Sequence, residues 1–110
     1  MSNVLVTGAG GFIGLQLVTE LVRQKHTVYA LIQKGDTRSE DKLHCIDSGI
    51  VIIDDAEVLF HNVEEYPPFN CIYHLATVGV RPDFNDINMI CDVNIKMGCQ
   101  LVDFARKNRS

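Results

Sequence analysis

At 110 residues, with 46% hydrophobic and 22% charged side chains, the chain has the composition of one small globular domain with a single core, and a second domain is not expected. A net charge of −4 leaves no basic footprint for nucleic acid or an anionic membrane. No apolar stretch approaches the roughly 18 residues that a membrane span needs, and Met1-Ser2-Asn3 has no basic segment before a long apolar one, so a cytoplasmic chain is expected.

Val4 to Thr7 is short and apolar on both faces, the pattern of a central parallel strand covered by helices. It breaks into Thr7-Gly8-Ala9-Gly10-Gly11-Phe12-Ile13-Gly14, a glycine loop that opens a helix. Glycines at 8, 11 and 14 remove a Cβ at a tight turn, at the approach of a phosphate to the backbone, and at the packing of helix on sheet. The N–H groups of residues 10 to 14 and the positive end of a helix starting near Phe12 face an anion, best the pyrophosphate of a dinucleotide. Gly8, Gly10, Gly11, Phe12, Ile13 and Gly14 are therefore candidate binding residues. Two neighbouring motifs fail on spacing: G-x-G-x-x-G read from Gly8 would want glycine where Ile13 stands, and a P-loop would want Lys after Gly14, where the chain has Leu15-Gln16. A purely structural tight turn is the competing reading.

The first helix, over 12 to 24, places Ile13, Leu17, Val18, Leu21 and Val22 on one face. No glycine follows it, so Lys25 or His26 must take the helix-ending conformation, or the end must be looser. Thr27 to Gln33 reads as a second strand, and Gly35-Asp36-Thr37 as a break before a short helix around Ser39 to Ile46. Ile50 to Ile53 is a third apolar strand, Ala56 to Val63 holds a helical turn or two, and Pro67-Pro68 delivers the chain into a fourth strand, Cys71 to Leu75. A loop over 77 to 85 precedes a long helix running from Phe84 or Asp86 to Lys107. Strands alternating with helical segments imply right-handed crossovers and an α/β fold with a parallel sheet ordered 3-2-1-4. Cys45, Cys71, Cys91 and Cys99 lack metal-site spacing and read as reduced, mostly buried thiols, with Cys99 the most accessible. Asn94 falls inside the apolar stripe of the last helix, where a buried amide must be hydrogen-bonded or costs about 1 to 3 kcal/mol.

The glycine stretch, Asp54-Asp55 after the third apolar run, Tyr73-His74-Leu75-Ala76 and Val93-Asn94-Ile95-Lys96-Met97-Gly98 together resemble the extended short-chain dehydrogenase/reductase superfamily, of the NAD-dependent epimerase/dehydratase type that acts largely on nucleotide sugars. The resemblance implies a Rossmann-like three-layer αβα sandwich, with residues 1–110 as one NAD(P)-binding domain that stops before the fifth strand. It implies that Asp55, beside Asp54 and followed by Ala56, receives the adenine amino group. Leu75, Ala76 and Thr77 would lie beside the nicotinamide ribose, and Asn94 would help order the active-site network. Asp54 and Asp55 also read as loop carboxylates satisfying backbone N–H groups, and His74, with no partner apparent, as a packed structural histidine.

In the resembled family a Tyr-x-x-x-Lys pair moves the proton while the nicotinamide exchanges hydride. Here Tyr29, Tyr66 and Tyr73 have Gln33, Asn70 and Thr77 four residues later, so no turnover is expected from the chain alone. The second strand ends in Ile32-Gln33-Lys34, where NAD-preferring relatives would often carry Asp at about Ile32. With Gln33 and Lys34 as candidate ribose contacts and Arg38 near, the choice between NAD and NADP tilts slightly to NADP, although Lys34 also reads as a solvated loop lysine. A nucleotide-sugar substrate is implied only for a complete enzyme. The alternative is a non-catalytic dinucleotide-sensing or protein-interaction module. A fourth strand left at the sheet edge implies a homodimer.

Overall fold

The apolar runs of the sequence form parallel strands in the computed structural model, which describes residues 2–76 and 95–109. In chain order these residues form β1 (Asn3–Thr7), α1 (Phe12–Arg23), β2 (Thr27–Leu31), α2 (Thr37–Ile46), β3 (Val51–Ile53), α3 (Ala56–His61), a 3-10 turn at Val63–Glu65, β4 (Cys71–His74) and α4 (Met97–Asn108). The sheet order is β3-β2-β1-β4, with every neighbouring pair parallel. Register sets Val4 between Val28 and Cys71, and Thr7 between Leu31 and His74. The loop over 77 to 85, the helix before residue 95, Cys91 and the candidates Thr77 and Asn94 lie outside the described residues.

Alternation along the strands divides the apolar side chains between two faces, so the expected single core is two layers separated by the sheet. Val4, Val6, Val28, Ala30 and Ile32 pack with Val18 and Leu21 of α1 and Leu43 of α2. Leu5, Leu31 and Ile53 pack with Leu59 of α3, Phe69, and Leu101 and Phe104 of α4. The aromatic contacts among the described residues gather on this second side, where Tyr29 meets Phe69 edge-on at 5.1 Å and Phe60 and Phe69 flank Phe104.

Helix ends follow local chemistry. The Asp36 carboxylate accepts from Ser39 N and starts α2, and Asp55 accepts from Glu57 N and starts α3. α1 ends at Lys25, whose φ of 67° supplies the left-handed turn expected at 25 or 26. Its apolar face is narrower than periodicity implies: Ile13 is 67% exposed, because the first turn begins beyond the end of β1 with no strand beneath it. Cys45, Cys71 and Cys99 are all exposed free thiols, which corrects the expectation of mostly buried cysteines. Among the described residues no helix is long and apolar enough to cross a membrane.

Candidate functional site

The C-terminal ends of all four strands open onto one cleft of about 480 Å³, a size usual for small-molecule sites. β1 contributes Gly8, Gly10 and Gly11, β2 contributes Ile32, Gln33 and Lys34, β3 contributes Asp55 and Ala56, and β4 contributes Leu75 and Ala76. This is the edge at which an open α/β sheet offers loops and helix N-termini to a ligand.

The glycine loop is shaped by close approach. Gly8 has φ +66°, and a Cβ there would lie 2.7 Å from Ala76 N and 2.8 Å from the Leu75 carbonyl carbon. A Cβ on Gly14 would strike Gly8 O and Ala9 of the loop itself, so that glycine seats α1 on its own loop rather than on the sheet. Gly10 packs against the Ser39 side chain. Gly11 differs: a Cβ there would meet only Gly8 O, at 3.5 Å, an ordinary contact.

Gly11 N donates to Gly8 O at 3.2 Å, and the first bond of the helical ladder runs from Leu15 N to Gly11 O at 2.9 Å. The amides of Phe12, Ile13 and Gly14 therefore precede the ladder. No side chain caps α1 and no acidic residue occupies its first turn, so its N-terminal dipole carries no local counter-charge. The side chains of Phe12 and Ile13 are 82% and 67% exposed and do not line the cleft, and neither does Gly14. For these three candidates only the backbone amides remain as possible ligand contacts.

At the cleft's other end Lys34 Nζ lies 3.9 Å from Asp55 Oδ2, while Asp55 Oδ1 caps α3. The loop-carboxylate reading of Asp55 is thus met by one oxygen, leaving the other toward the cleft. Asp54 is exposed and outside the cleft.

Asp36 and Ser39 also line the cleft, and Ser39 Oγ donates to Asp36 Oδ2 at 2.6 Å. The Ser39 hydroxyl, then its backbone N–H, holds the Asp36 carboxyl below the usual carboxylate range. In sequence Gly35-Asp36-Thr37 reads only as a break; the signal it also holds is a capping aspartate three residues before Ser39. Met97, which lines the cleft from α4, stands out in sequence only as a member of the stretch over 93 to 98 that carries the resemblance.

Beside the cleft, fully buried Thr7 forms the hub of the β4 end. Its Oγ1 lies 2.7 Å from His74 Nδ1 and accepts from Leu75 N at 3.0 Å and Ala76 N at 3.2 Å. Burial pushes the His74 pKa down. His74 is therefore partnered by Thr7, where the sequence shows no partner.

Residues 4–110 match the NAD dependent epimerase/dehydratase family. The chain is 32% identical to the UDP-glucose 4-epimerase of Mycolicibacterium smegmatis over 94% of its length and 34% of that protein's. Among solved structures it is similar to a UDP-glucose-4-epimerase from Stenotrophomonas maltophila with bound NAD and formylated UDP-arabinopyranose, with TM-score 0.80 and 22% identity over 98% of this chain and 34% of that one. It is also similar to the UDP-glucose 4-epimerase of Bifidobacterium longum in complex with NAD+ and UDP, with TM-score 0.80 and 21% identity over the same shares. The chain spans about a third of the length of these proteins.

Proposed function

The chain belongs to the NAD dependent epimerase/dehydratase family, and from that premise we propose that its cleft holds a nicotinamide dinucleotide, with the pyrophosphate at the start of α1. The observation that carries this reading is the uncapped, acid-free N-terminus of α1 beside Gly11, the one loop glycine whose missing Cβ is not demanded by the protein's own packing. The residues fit the group: a cradle with space on its ligand side and N–H donors ahead of the helical ladder suits a diphosphate.

The amides of residues 12 to 14 would hold the pyrophosphate, Asp55 Oδ2 the adenine amino group, and the Leu75-Ala76 segment, with Thr77, the nicotinamide side. Gln33 and Lys34 stand at the ribose end, and Lys34 is the basis of the slight preference for NADP that we propose. When bound, the dinucleotide supplies hydride exchange. In a complete enzyme it would act on a nucleotide sugar, the ligand class named for the similar Stenotrophomonas maltophila structure. Proton transfer would fall to a tyrosine and lysine that these 110 residues do not pair. We further propose that the chain self-associates along the outer edge of β4, which among the described residues pairs with β1 alone.

Calorimetry with NAD and NADP tests the cradle on the wild type and Gly11→Val, each checked for folding by circular dichroism. Gly11→Val is expected to stay folded, since its Cβ makes only an ordinary contact, and to lose binding by at least about tenfold, on the order of 1.4 kcal/mol. Neither protein should change NAD(P)H absorbance with nucleotide sugars. Equal affinities in two folded proteins would remove the pyrophosphate assignment, and turnover by the wild type would remove the division of labour.

A further inference from the structure

Thr7 and His74 are register partners on β1 and β4, and their side chains share the face that carries Leu5 and Ile72. A hydroxyl has one proton to donate and two lone pairs with which to accept. Both acceptor positions of Thr7 Oγ1 are occupied, one by Leu75 N, which is shared with the Thr7 carbonyl at 3.2 Å, and one by Ala76 N at 3.2 Å. The proton of Thr7 is therefore left for His74 Nδ1, at 2.7 Å. This proton count requires His74 to be neutral and to carry its hydrogen on Nε2.

We propose that His74 is a positioning residue: its neutral Nε2–H form orients the Thr7 hydroxyl, which in turn fixes the Leu75-Ala76 wall of the cleft, and protonation of His74 releases that wall. An Nδ1–H would present a second donor to an oxygen whose acceptor positions are filled, and Ala76 N, which has no other acceptor among the described residues, is the amide displaced. The released segment is the one against which Gly8 is packed, so the loosening reaches the glycine loop. The consequence for affinity rests on the dinucleotide reading above; the tautomer and the coupling to the two amides do not.

Among the described residues the surroundings favour the neutral form. β1 has no titratable side chain, and Cys71 and Tyr73 of β4 project from the opposite face. On the side of the sheet where His74 lies, Glu57 of α3 stands beside His61, Asp103 of α4 engages Arg106 and Lys107, and Lys96 is exposed. Burial alone lowers the His74 pKa from 6.5. The sign follows: above 6.5 the wall is intact, and as pH falls through the lowered folded-state value the proton enters and the wall opens.

The test is a pH titration of the isotopically labelled chain by NMR, paired with NAD calorimetry, on the wild type, His74→Asn and Thr7→Ser. The expected result is an Nε2–H tautomer at neutral pH, with the Leu75 and Ala76 amide resonances moving at the inflection of His74 itself. NAD affinity should fall about tenfold one pH unit below that inflection, because only the neutral fraction binds. His74→Asn keeps an acceptor near the Nδ1 position without a titrating group, so it should bind within about twofold of wild type at neutral pH and lose the pH dependence. Thr7→Ser should preserve both. An Nδ1–H tautomer, amides that do not follow His74, or the same pH slope in His74→Asn would overturn the proposal. Absence of NAD binding at every pH would overturn the dinucleotide reading, and with it the expected effect on affinity, while the tautomer and amide titration would still decide the coupling.

Discussion

Asn108, near the end of α4, is buried, and its amide answers two backbone groups of the turn leading into β4. Oδ1 accepts from Phe69 N at 3.0 Å, and Nδ2 donates to Pro67 O at 3.1 Å. Asn108→Ala strands both groups and is expected to cost about 1 to 3 kcal/mol, read as a lower urea midpoint with unchanged slope. Asn108→Asp keeps the acceptor but not the donor, and should fall between the two. A midpoint equal to wild type in Asn108→Ala would show that water satisfies these groups. Neither Asn108 nor Thr7 is conspicuous in sequence, because their partners lie about 40 and 70 residues away along the chain. Asp55 is the opposite case: the family resemblance singles it out and it lines the cleft, whereas Asp54, which follows the same apolar strand, does not.

At the scale of elements, α1 shows what local pattern determines and where it stops. Its apolar spacing and the missing glycine at its end predicted both its extent and a left-handed residue at 25 or 26, and Lys25 takes that role. A non-glycine residue pays about 1 to 2 kcal/mol in this region, offset by about 0.4 to 1 kcal/mol of extra unfolded-state entropy that glycine brings. Lys25→Gly should therefore stabilise the chain by about 0 to 1.6 kcal/mol, seen as a small rise in thermal midpoint; a fall would mean that the lysine stem packs usefully. Periodicity erred at Ile13, since it describes the helix and not what lies under each turn. β2 ends at Leu31 rather than Gln33, although Ile32 N still bonds to Ile53 O at 2.9 Å, so the pairing outlasts the extended backbone.

For the molecule as a whole, strand order was legible because alternating strands and helices with right-handed crossovers leave few arrangements. The division of the core into two layers is what a strand apolar on both faces and the αβα resemblance imply, whereas composition, which counts apolar residues without assigning them to faces, suggests a single core. The outer edge of β4, which among the described residues pairs with β1 alone, is a setting in which strands recruit other strands, and Cys71 and Tyr73 are exposed on the face beside it. Sedimentation over a hundredfold concentration range should show a dimer or larger species, reduced by Tyr73→Lys, which places a charge on that edge. A monomer throughout would dispose of edge pairing.

The one-sided placement of the rings also determines what light can report. The chain has no tryptophan and three tyrosines. Tyr29 and Tyr66 lie edge to face, 6.4 Å apart, in the layer of α3 and α4, whereas Tyr73 is exposed on the other face of the sheet. Intrinsic emission is accordingly weighted to that layer, because on the face covered by α1 and α2 the described residues offer only the exposed Tyr73. An unfolding curve followed by tyrosine emission would track the layer of α3 and α4, and its agreement or disagreement with far-ultraviolet circular dichroism would measure whether the two halves of the sandwich melt as one.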